Sequence, residues 1–306
     1  YVLAHARLAP IQVAWWGHPI TTASPSIDFF FGLDIEVPNA GPSHYTEQLV
    51  RMSNMNTAPY IQISPESSPP LSTYGIPDGS KYGVVIGRLF KLHPDFDDVI
   101  FDILSNTPEN MYIIVIREKV SSWNRLIYER WREKQQEICC RSVRDGQSTT
   151  GSCCGNVDWS RHDRVNRTSR DFLSERDPLY VLHRLRFVHY NHYIDLLLHA
   201  TVVLDTFPYG GCLTSHDAMS NGIPMVTLPL EHVRGRYSLG MYQQMDHTDL
   251  VANNASHYSE LVQKLVFNYD FRSQQSRAIA MKFKERIHRN REVALEWLSF
   301  FHKVVF

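Results

Sequence analysis

The chain has 306 residues, 43% of them hydrophobic, 12% aromatic and 21% charged, an ordinary globular composition. Its 31 Lys and Arg residues against 32 Asp and Glu leave a net charge of −1, without the basic excess that a broad electrostatic grip on nucleic acid or an acidic membrane requires. No apolar stretch approaches the roughly 20 residues that span a bilayer, and five cysteines, an odd number, favour a reducing compartment over a disulfide-dense fold.

The length suits about two domains of roughly 150 residues each. The chain opens at Tyr1 with neither initiator methionine nor leader, and is read as a fragment or a processed piece. The run Ile11-Gln-Val-Ala-Trp-Trp16 is strand-like and turns at Gly17-His18-Pro19. Ile27 to Phe31 reads as a second buried strand, and Tyr45 to Met52 as a short helix. The Pro/Ser-rich stretch Ser64 to Pro70 disfavours regular structure and marks a boundary near residue 75.

Beyond it the pattern becomes regular. Gly83 to Gly87 is a short apolar strand, and Pro94 opens a helix whose Phe96, Val99, Ile100, Ile103 and Leu104 share one face. Met111 to Ile116 is a strand apolar throughout, as expected where helices cover both faces of a sheet. Trp123, Leu126, Ile127 and Trp131 again have helical spacing. Residues from about 138 to 177 are rich in Ser, Arg, Asp, Gly and Thr, and read as an inserted, mobile loop. Leu185 to Val188 restarts a strand, Tyr193 to His199 a helix and Val202 to Leu204 a strand; a glycine turn, a helix and the strand Pro224 to Leu228 follow. Tyr258, Leu261, Val262, Leu265 and Val266 stripe a late helix, and Phe271 to Phe306 holds one or two more. Such alternation predicts an α/β fold with a doubly wound, Rossmann-like parallel sheet.

The most informative stretch runs from Val203 to Pro229. A buried strand ends at Asp205, Gly210 and Gly211 let the backbone turn sharply, and a helix begins near Thr214. Free N–H groups and the positive dipole end meet at such a helix start, which makes an anion site. Thr214 and Ser215 offer hydroxyl donors for phosphate oxygens, and Asp217, about one turn inside, can accept from two ribose hydroxyls. The pattern alone leaves open a plainer reading, a Gly-rich turn with Thr214 or Ser215 as helix cap. No Gly-x-Gly-x-x-Gly follows a strand, which disfavours a nicotinamide-dependent oxidoreductase. The adjacent pairs Cys139-Cys140 and Cys153-Cys154 lack the spacing of a structural zinc site. The sequons at Asn166 and Asn254 are of a kind common by chance.

Three segments carry a resemblance. Leu-Asp-Thr-Phe-Pro-Tyr-Gly-Gly (204–211), with Asn-Gly-Ile-Pro-Met-Val-Thr-Leu-Pro (221–229) and Arg234 to Tyr242, resembles the catalytic C-terminal lobe of glycosyltransferase family 41, which holds the O-linked N-acetylglucosamine transferases, the plant Spindly-type enzymes and bacterial relatives. Leu8-Ala-Pro-Ile-Gln-Val-Ala-Trp-Trp-Gly-His-Pro-Ile-Thr-Thr22 is similar to the end of that family's N-terminal lobe, and Gly87-Arg-Leu-Phe-Lys-Leu-His-Pro94 to its strand-to-helix segment with a phosphate-binding lysine.

The resemblance implies a two-lobed GT-B fold: residues 1–75 as the remnant of the N-terminal lobe and 76–306 as the nucleotide-sugar-binding C-terminal lobe. It implies an inverting, metal-independent transfer, with UDP-N-acetylglucosamine as donor and protein Ser/Thr as acceptor, and no cofactor beyond the donor. Matched by position, Lys91 neutralises the diphosphate leaving group, Thr214 binds phosphate and Asp217 the ribose. Phe187, Val188, His189 and Tyr190 run beside the base, and Arg236 falls where the family also has arginine. His18, in a turn that the family brings into the cleft, either orients donor phosphate, helps move the acceptor proton, or is simply bonded within the turn. Thr21 and Thr22 are candidates for phosphate contact or plain turn residues, and His216 is expected to pack on its helix. Upstream tetratricopeptide repeats often serve acceptor recognition in the family, and a cytoplasmic or nucleocytoplasmic setting follows; neither nucleic acid nor membrane is an expected partner.

The sequence departs from the family at Cys212, Leu213 and Leu230, and the insertion after Ile138 has no counterpart. These departures keep a second reading in view, a non-catalytic GT-B module that binds nucleotide or partners; a third, an epimerase acting on the sugar nucleotide itself, is disfavoured by the match around Trp16-Gly-His-Pro19.

Overall fold

The computed structural model describes residues 2–35, 41–55, 69–144, 181–288 and 290–305. Two parallel sheets organise them. The small sheet has the order β1 (Val13–Trp15), β2 (Phe29–Leu33), β3 (Gln48–Met52). The large sheet contains β4 (Lys81–Val85), β5 (Met111–Arg117), β6 (Leu185–His189), β7 (Val202–Leu204) and β8 (Met225–Val226), in the order β6-β5-β4-β7-β8. Eight helices accompany them: α1 (Pro94–Ser105), α2 (Ser121–Arg144), α3 (Tyr193–Leu198), α4 (Leu213–Ser220), α5 (Tyr237–Gln244), α6 (Ala255–Phe267), α7 (Tyr269–Arg286) and α8 (Arg291–Val305).

The unbroken apolar strands become the centre of the large sheet. Val84, Val85, Ile113, Ile114, Val115, Val202, Val203 and Leu204 are fully buried, each worth about 1.5–3 kcal/mol of transfer free energy. α1 begins with Pro94 in its first turn, where His93 Nδ1 accepts from the Asp95 amide at 3.3 Å. Its predicted apolar stripe faces inward, and the helix packs on α6, whose own stripe is likewise buried. From β4 the chain winds outward through β5 to β6, then returns to the other side of β4 to build β7 and β8. The strand order therefore reverses between β4 and β7, and the segments leaving those two strands meet beyond their carboxyl ends, where Leu92 and Pro208 form an isolated antiparallel bridge.

The small sheet differs from expectation in two respects. Residues 48–52 form β3 instead of a helix, paired in parallel with β2 from Phe29 with Gln48 to Leu33 with Met52. Their local propensity is ambiguous, and the pairing decides: β2 carries Phe30, Phe31 and Leu33 into the interior and needs a neighbour on each edge. The second strand also starts at Phe29 instead of Ile27, because Asp28 turns its carboxylate back to the Gln12 amide at 2.8 Å and to Arg7 at 2.6 Å.

α2 continues through Ile138 to Arg144, so the helix outlasts the point where the composition changes; residues 145–180, with Cys153, Cys154 and Asn166, lie outside the described residues, as do Ser64 to Ser68. On α2 only Ile127 and Trp131 of the predicted apolar face are buried, while Trp123 and Leu126 are exposed. Asn254 caps α6 by accepting from the His257 amide at 2.8 Å. The last helix returns to the small sheet. Trp297 and Phe300 of α8 meet Phe31 edge-on with ring centroids 4.6 and 4.7 Å away, and Phe300 meets Phe29 at 5.1 Å. Among the described residues no helix is long and apolar enough to cross a membrane.

Candidate functional site

At the carboxyl end of β7 the chain leaves the sheet through Asp205, passes a cis Phe207–Pro208 peptide and reaches Gly210 and Gly211 before α4 begins. Asp205 is 3% exposed. One carboxylate oxygen accepts from the Gly211 amide at 2.7 Å; the other accepts from Thr227 Oγ1 at 2.8 Å and Ser238 Oγ at 2.6 Å. All three partners donate, the arrangement an ionised carboxylate requires. Burial pushes the carboxyl upward from its usual range, and the three donors together with Lys91 pull the other way. Thr206 Oγ1 adds a bond to the Tyr209 carbonyl at 2.6 Å. The two residues after β7 thus tie down the loop above them.

The loop has no room for side chains at its two glycines. A Cβ on Gly210 would sit 3.1 Å from both Asp205 oxygens, and one on Gly211 would fall 2.3 Å from Ser215 Oγ and 2.7 Å from Thr214 Oγ1. The Gly-Gly pair is therefore demanded by close approach. No side chain caps the first turn of α4, which leaves its amides without a capping partner beside a half-buried Thr214. This is the feature that makes a helix start attract an anion.

Lys91 reaches the same place from β4. It ends a short 3-10 turn, Leu89–Lys91, whose position is fixed from behind. Arg130 of α2 donates to both Asp97 oxygens, at 2.7 and 2.8 Å, and to the Leu92 carbonyl at 3.0 Å, while the Trp131 indole donates to Asp97 at 2.7 Å. Lys91 Nζ donates to the Gly210 carbonyl at 2.7 Å and lies 4.1 Å above the Tyr209 ring. Burial lowers its pKa from the usual lysine range, partly offset by Asp205. An ammonium held this way, half-buried and short of a full counter-charge, gains from an incoming anion.

The remaining sequence candidates divide. Asp217 lies half-buried on α4 and accepts from the Tyr193 hydroxyl at 3.0 Å; burial raises its pKa and this bond opposes the rise. Tyr190 stacks on Tyr193 with centroids 5.6 Å apart and planes within 2°, and it is 58% exposed. Ser215 faces the interior, fully buried with its hydroxyl 3.0 Å from Ser238 Oγ, so it braces the helix instead of offering a donor to a ligand. His216 packs edge-on against Phe283 at 4.8 Å. In β6, Phe187 packs on Trp131 at 5.6 Å and Val188 is buried, while His189 Nδ1 accepts from the Asn191 amide at 3.3 Å.

From the small sheet, His18 is exposed in the turn after β1, its amide on the Trp15 carbonyl at 3.2 Å. Thr21 and Thr22 are engaged elsewhere. Thr21 Oγ1 donates to Glu47 at 2.7 Å, and the amide of Thr22, at 2.8 Å, and its hydroxyl both bond the other Glu47 oxygen. Burial pushes the Glu47 carboxyl up, but these donors bring it below its usual value. Arg236 donates from Nε to the Ile35 carbonyl and from Nη1 to the Leu230 carbonyl at 2.8 Å, so it bridges the small sheet to the loop after β8. Tyr237 does the same at Trp16, donating to its carbonyl at 2.6 Å.

Sequence reading missed Asp205, Thr227, Ser238 and Tyr193, because a residue's role as an internal partner leaves no local pattern. Cys212 and Leu213 open α4: burial pushes the Cys212 thiol up to about 11, and Leu213 is 67% exposed. Among the described residues no group of three or more His, Cys, Asp or Glu is placed to hold a metal ion. Gly211→Ala must displace the buried Ser215 hydroxyl, so it is expected to cost about 1–3 kcal/mol of stability, read as a lower midpoint in urea unfolding. An unchanged midpoint would contradict this close packing.

No family model matches the chain. It is 26% identical over 256 residues to the probable UDP-N-acetylglucosamine–peptide N-acetylglucosaminyltransferase SPINDLY of Oryza sativa subsp. japonica, covering 83% of this chain and 23% of that protein. It is 25% identical over 268 residues to the corresponding protein SEC of Arabidopsis thaliana, covering 85% and 23%. The chain thus spans about a quarter of the length of these curated relatives. Among solved structures, a mutant Thermobaculum terrenum O-GlcNAc transferase superposes with a TM-score of 0.63 at 20% identity, over 94% of this chain and 46% of that one. WaaG, a glycosyltransferase involved in lipopolysaccharide biosynthesis, superposes at 0.51 and 13% identity, over 86% and 60%. The chain is thus similar in sequence to the SPINDLY and SEC proteins, and its fold is the GT-B fold of the glycosyltransferases on which it superposes.

Proposed function

We propose that the chain is the catalytic end of an inverting, metal-independent glycosyltransferase that moves N-acetylglucosamine from UDP-N-acetylglucosamine to protein Ser/Thr hydroxyls. The observation that carries this reading is the convergence of Lys91 and the uncapped start of α4 at the point where the strand order reverses. Names of relatives supply the donor and acceptor classes. On this reading the small sheet is the end of the first lobe, the large sheet is the nucleotide-binding lobe, and upstream repeats in a longer protein select the acceptor. The setting is cytoplasmic or nucleocytoplasmic.

In the transfer, the bond between the anomeric carbon and the diphosphate oxygen breaks, and its electron pair stays on that oxygen. The acceptor hydroxyl bonds the same carbon from the opposite face and loses its proton. Charge builds on the leaving phosphate, where the Lys91 ammonium and the first-turn amides of α4 stabilise it. To do so Lys91 exchanges the Gly210 carbonyl for a phosphate oxygen. Asp217 takes the ribose hydroxyls on the oxygen that Tyr193 leaves open, and Tyr190 offers an exposed ring beside it. His18 is the candidate for the acceptor proton because it is exposed in the turn after β1, the segment that the resemblance brings toward the acceptor.

A second reading, a nucleotide-binding module without transfer, is favoured by one observation: Leu213 puts an exposed apolar side chain on the first turn of α4. Titration calorimetry separates the alternatives. The chain is expected to bind UDP in preference to GDP, and Lys91→Ala to weaken UDP about tenfold to a hundredfold, the loss of a charge-assisted contact. Preference for GDP would redirect the donor, and equal binding by Lys91→Ala would remove the lysine from the site. Where UDP binds but a sugar-transfer assay with the full-length protein shows no turnover, the module reading holds.

The lowered pKa of Lys91 also fixes a pH dependence. A bound diphosphate raises that pKa above its value in the free protein, so binding takes up a proton once the free lysine has lost it. UDP affinity should therefore stay level below the depressed pKa and fall as pH rises through it, earlier than for an ordinary lysine. In Lys91→Ala this alkaline fall should vanish; its persistence would assign the titration to another group.

A further inference from the structure

Three consecutive residues at the start of α5 bond in two directions. Arg236 and Tyr237 hold the small sheet, through the Ile35 and Trp16 carbonyls, while Ser238 turns the other way and donates to Asp205 at 2.6 Å. Ser238 is 1% exposed, and its oxygen also lies 3.0 Å from Ser215 in the first turn of α4. The two oxygens of one planar carboxylate thus join α5 on one side to the Gly211 amide on the other.

We propose that Ser238 is a positioning residue that couples the small sheet to the Gly210–Gly211 loop through the Asp205 carboxylate. A shift of the β1 turn against α5 moves Ser238, reorients the carboxylate and carries with it the Gly211 amide and the neighbouring Gly210 carbonyl that holds Lys91. Thr227 bonds the same Asp205 oxygen but comes from the end of β8 in the large sheet. It anchors the carboxylate without linking it to the small sheet. The proposal extends the donor-site reading: the residues facing the acceptor side would set the geometry of the phosphate side.

The test is amide hydrogen exchange at Gly211 in the ligand-free chain, with Val84 and Ile114 as reporters of global folding. Ser238→Ala should speed Gly211 exchange about tenfold, the effect of losing one bond to a charged group. Tyr237→Phe, which removes the bond to Trp16, should speed it several-fold in the otherwise unchanged chain, and add nothing on top of Ser238→Ala. In Thr227→Val the Tyr237→Phe effect should survive. An equal effect of Tyr237→Phe with and without the Ser238 hydroxyl, or none in either background, overturns the coupling. If Val84 and Ile114 show that Ser238→Ala unfolds, Ser238→Cys, which keeps the volume and weakens the donor, takes its place in the same cycle. UDP calorimetry on the same samples keeps the two readings apart. Coupled exchange without UDP binding retires the donor site alone, whereas UDP binding with uncoupled exchange retires the coupling alone.

Discussion

A buried carboxylate must find its hydrogen bonds within the protein, and Asp205 finds them in the elements that surround the reversal of strand order. The loop toward α4 gives it the Gly211 amide, the end of β8 gives Thr227, and α5 gives Ser238. Leaving such a group unpaired would cost several kcal/mol. The surrounding backbone is therefore constrained to supply donors, and that constraint ties the Gly-Gly turn to the end of β7 through the Gly211 amide. Its consequence appears one layer out. Gly210 presents its carbonyl to Lys91, and α4 starts with its amides free of any side-chain cap. The proposed anion site would then rest on satisfying the buried anion beneath it.

The two sheets meet through the same region. Arg236 and Tyr237 reach carbonyls of the small sheet, and α8 closes over it with Trp297 and Phe300. The turn that carries His18 is therefore tethered, through Trp16, to the helix that touches Asp205. On the proposed reading, the cation for the leaving group, Lys91, and the histidine for the acceptor, His18, come from different sheets but share one hydrogen-bonded frame.

Much of this architecture was legible in the residues. The apolar runs of β4, β5 and β7 and the striped faces of α1 and α6 announce themselves, since burial on both faces or on one face leaves a periodic trace. β3 left none: residues 48–52 become a strand because β2 needs a partner. The hydroxyl-bearing residues were the hardest to read. Thr21, Thr22 and Ser215 have the chemistry of phosphate ligands, yet Glu47 takes the first two and the interior takes the third. Asp205, in contrast, looks from the sequence like a strand end and turns out to organise the site. Whether a polar side chain serves a ligand or a neighbour depends on where its partners lie in space, and no spacing along the chain encodes that. The motifs that single out Lys91 and Asp217 put them on the 3-10 turn after β4 and on α4.

The central claim is that the start of α4 and Lys91 together receive a diphosphate, and a crystal structure of the chain soaked or grown with UDP tests it most directly. The account predicts the diphosphate over the first turn of α4, Lys91 Nζ transferred from the Gly210 carbonyl to a phosphate oxygen, and the ribose hydroxyls on Asp217. A diphosphate bound elsewhere, or Lys91 still seated on Gly210 with the nucleotide in place, would contradict it.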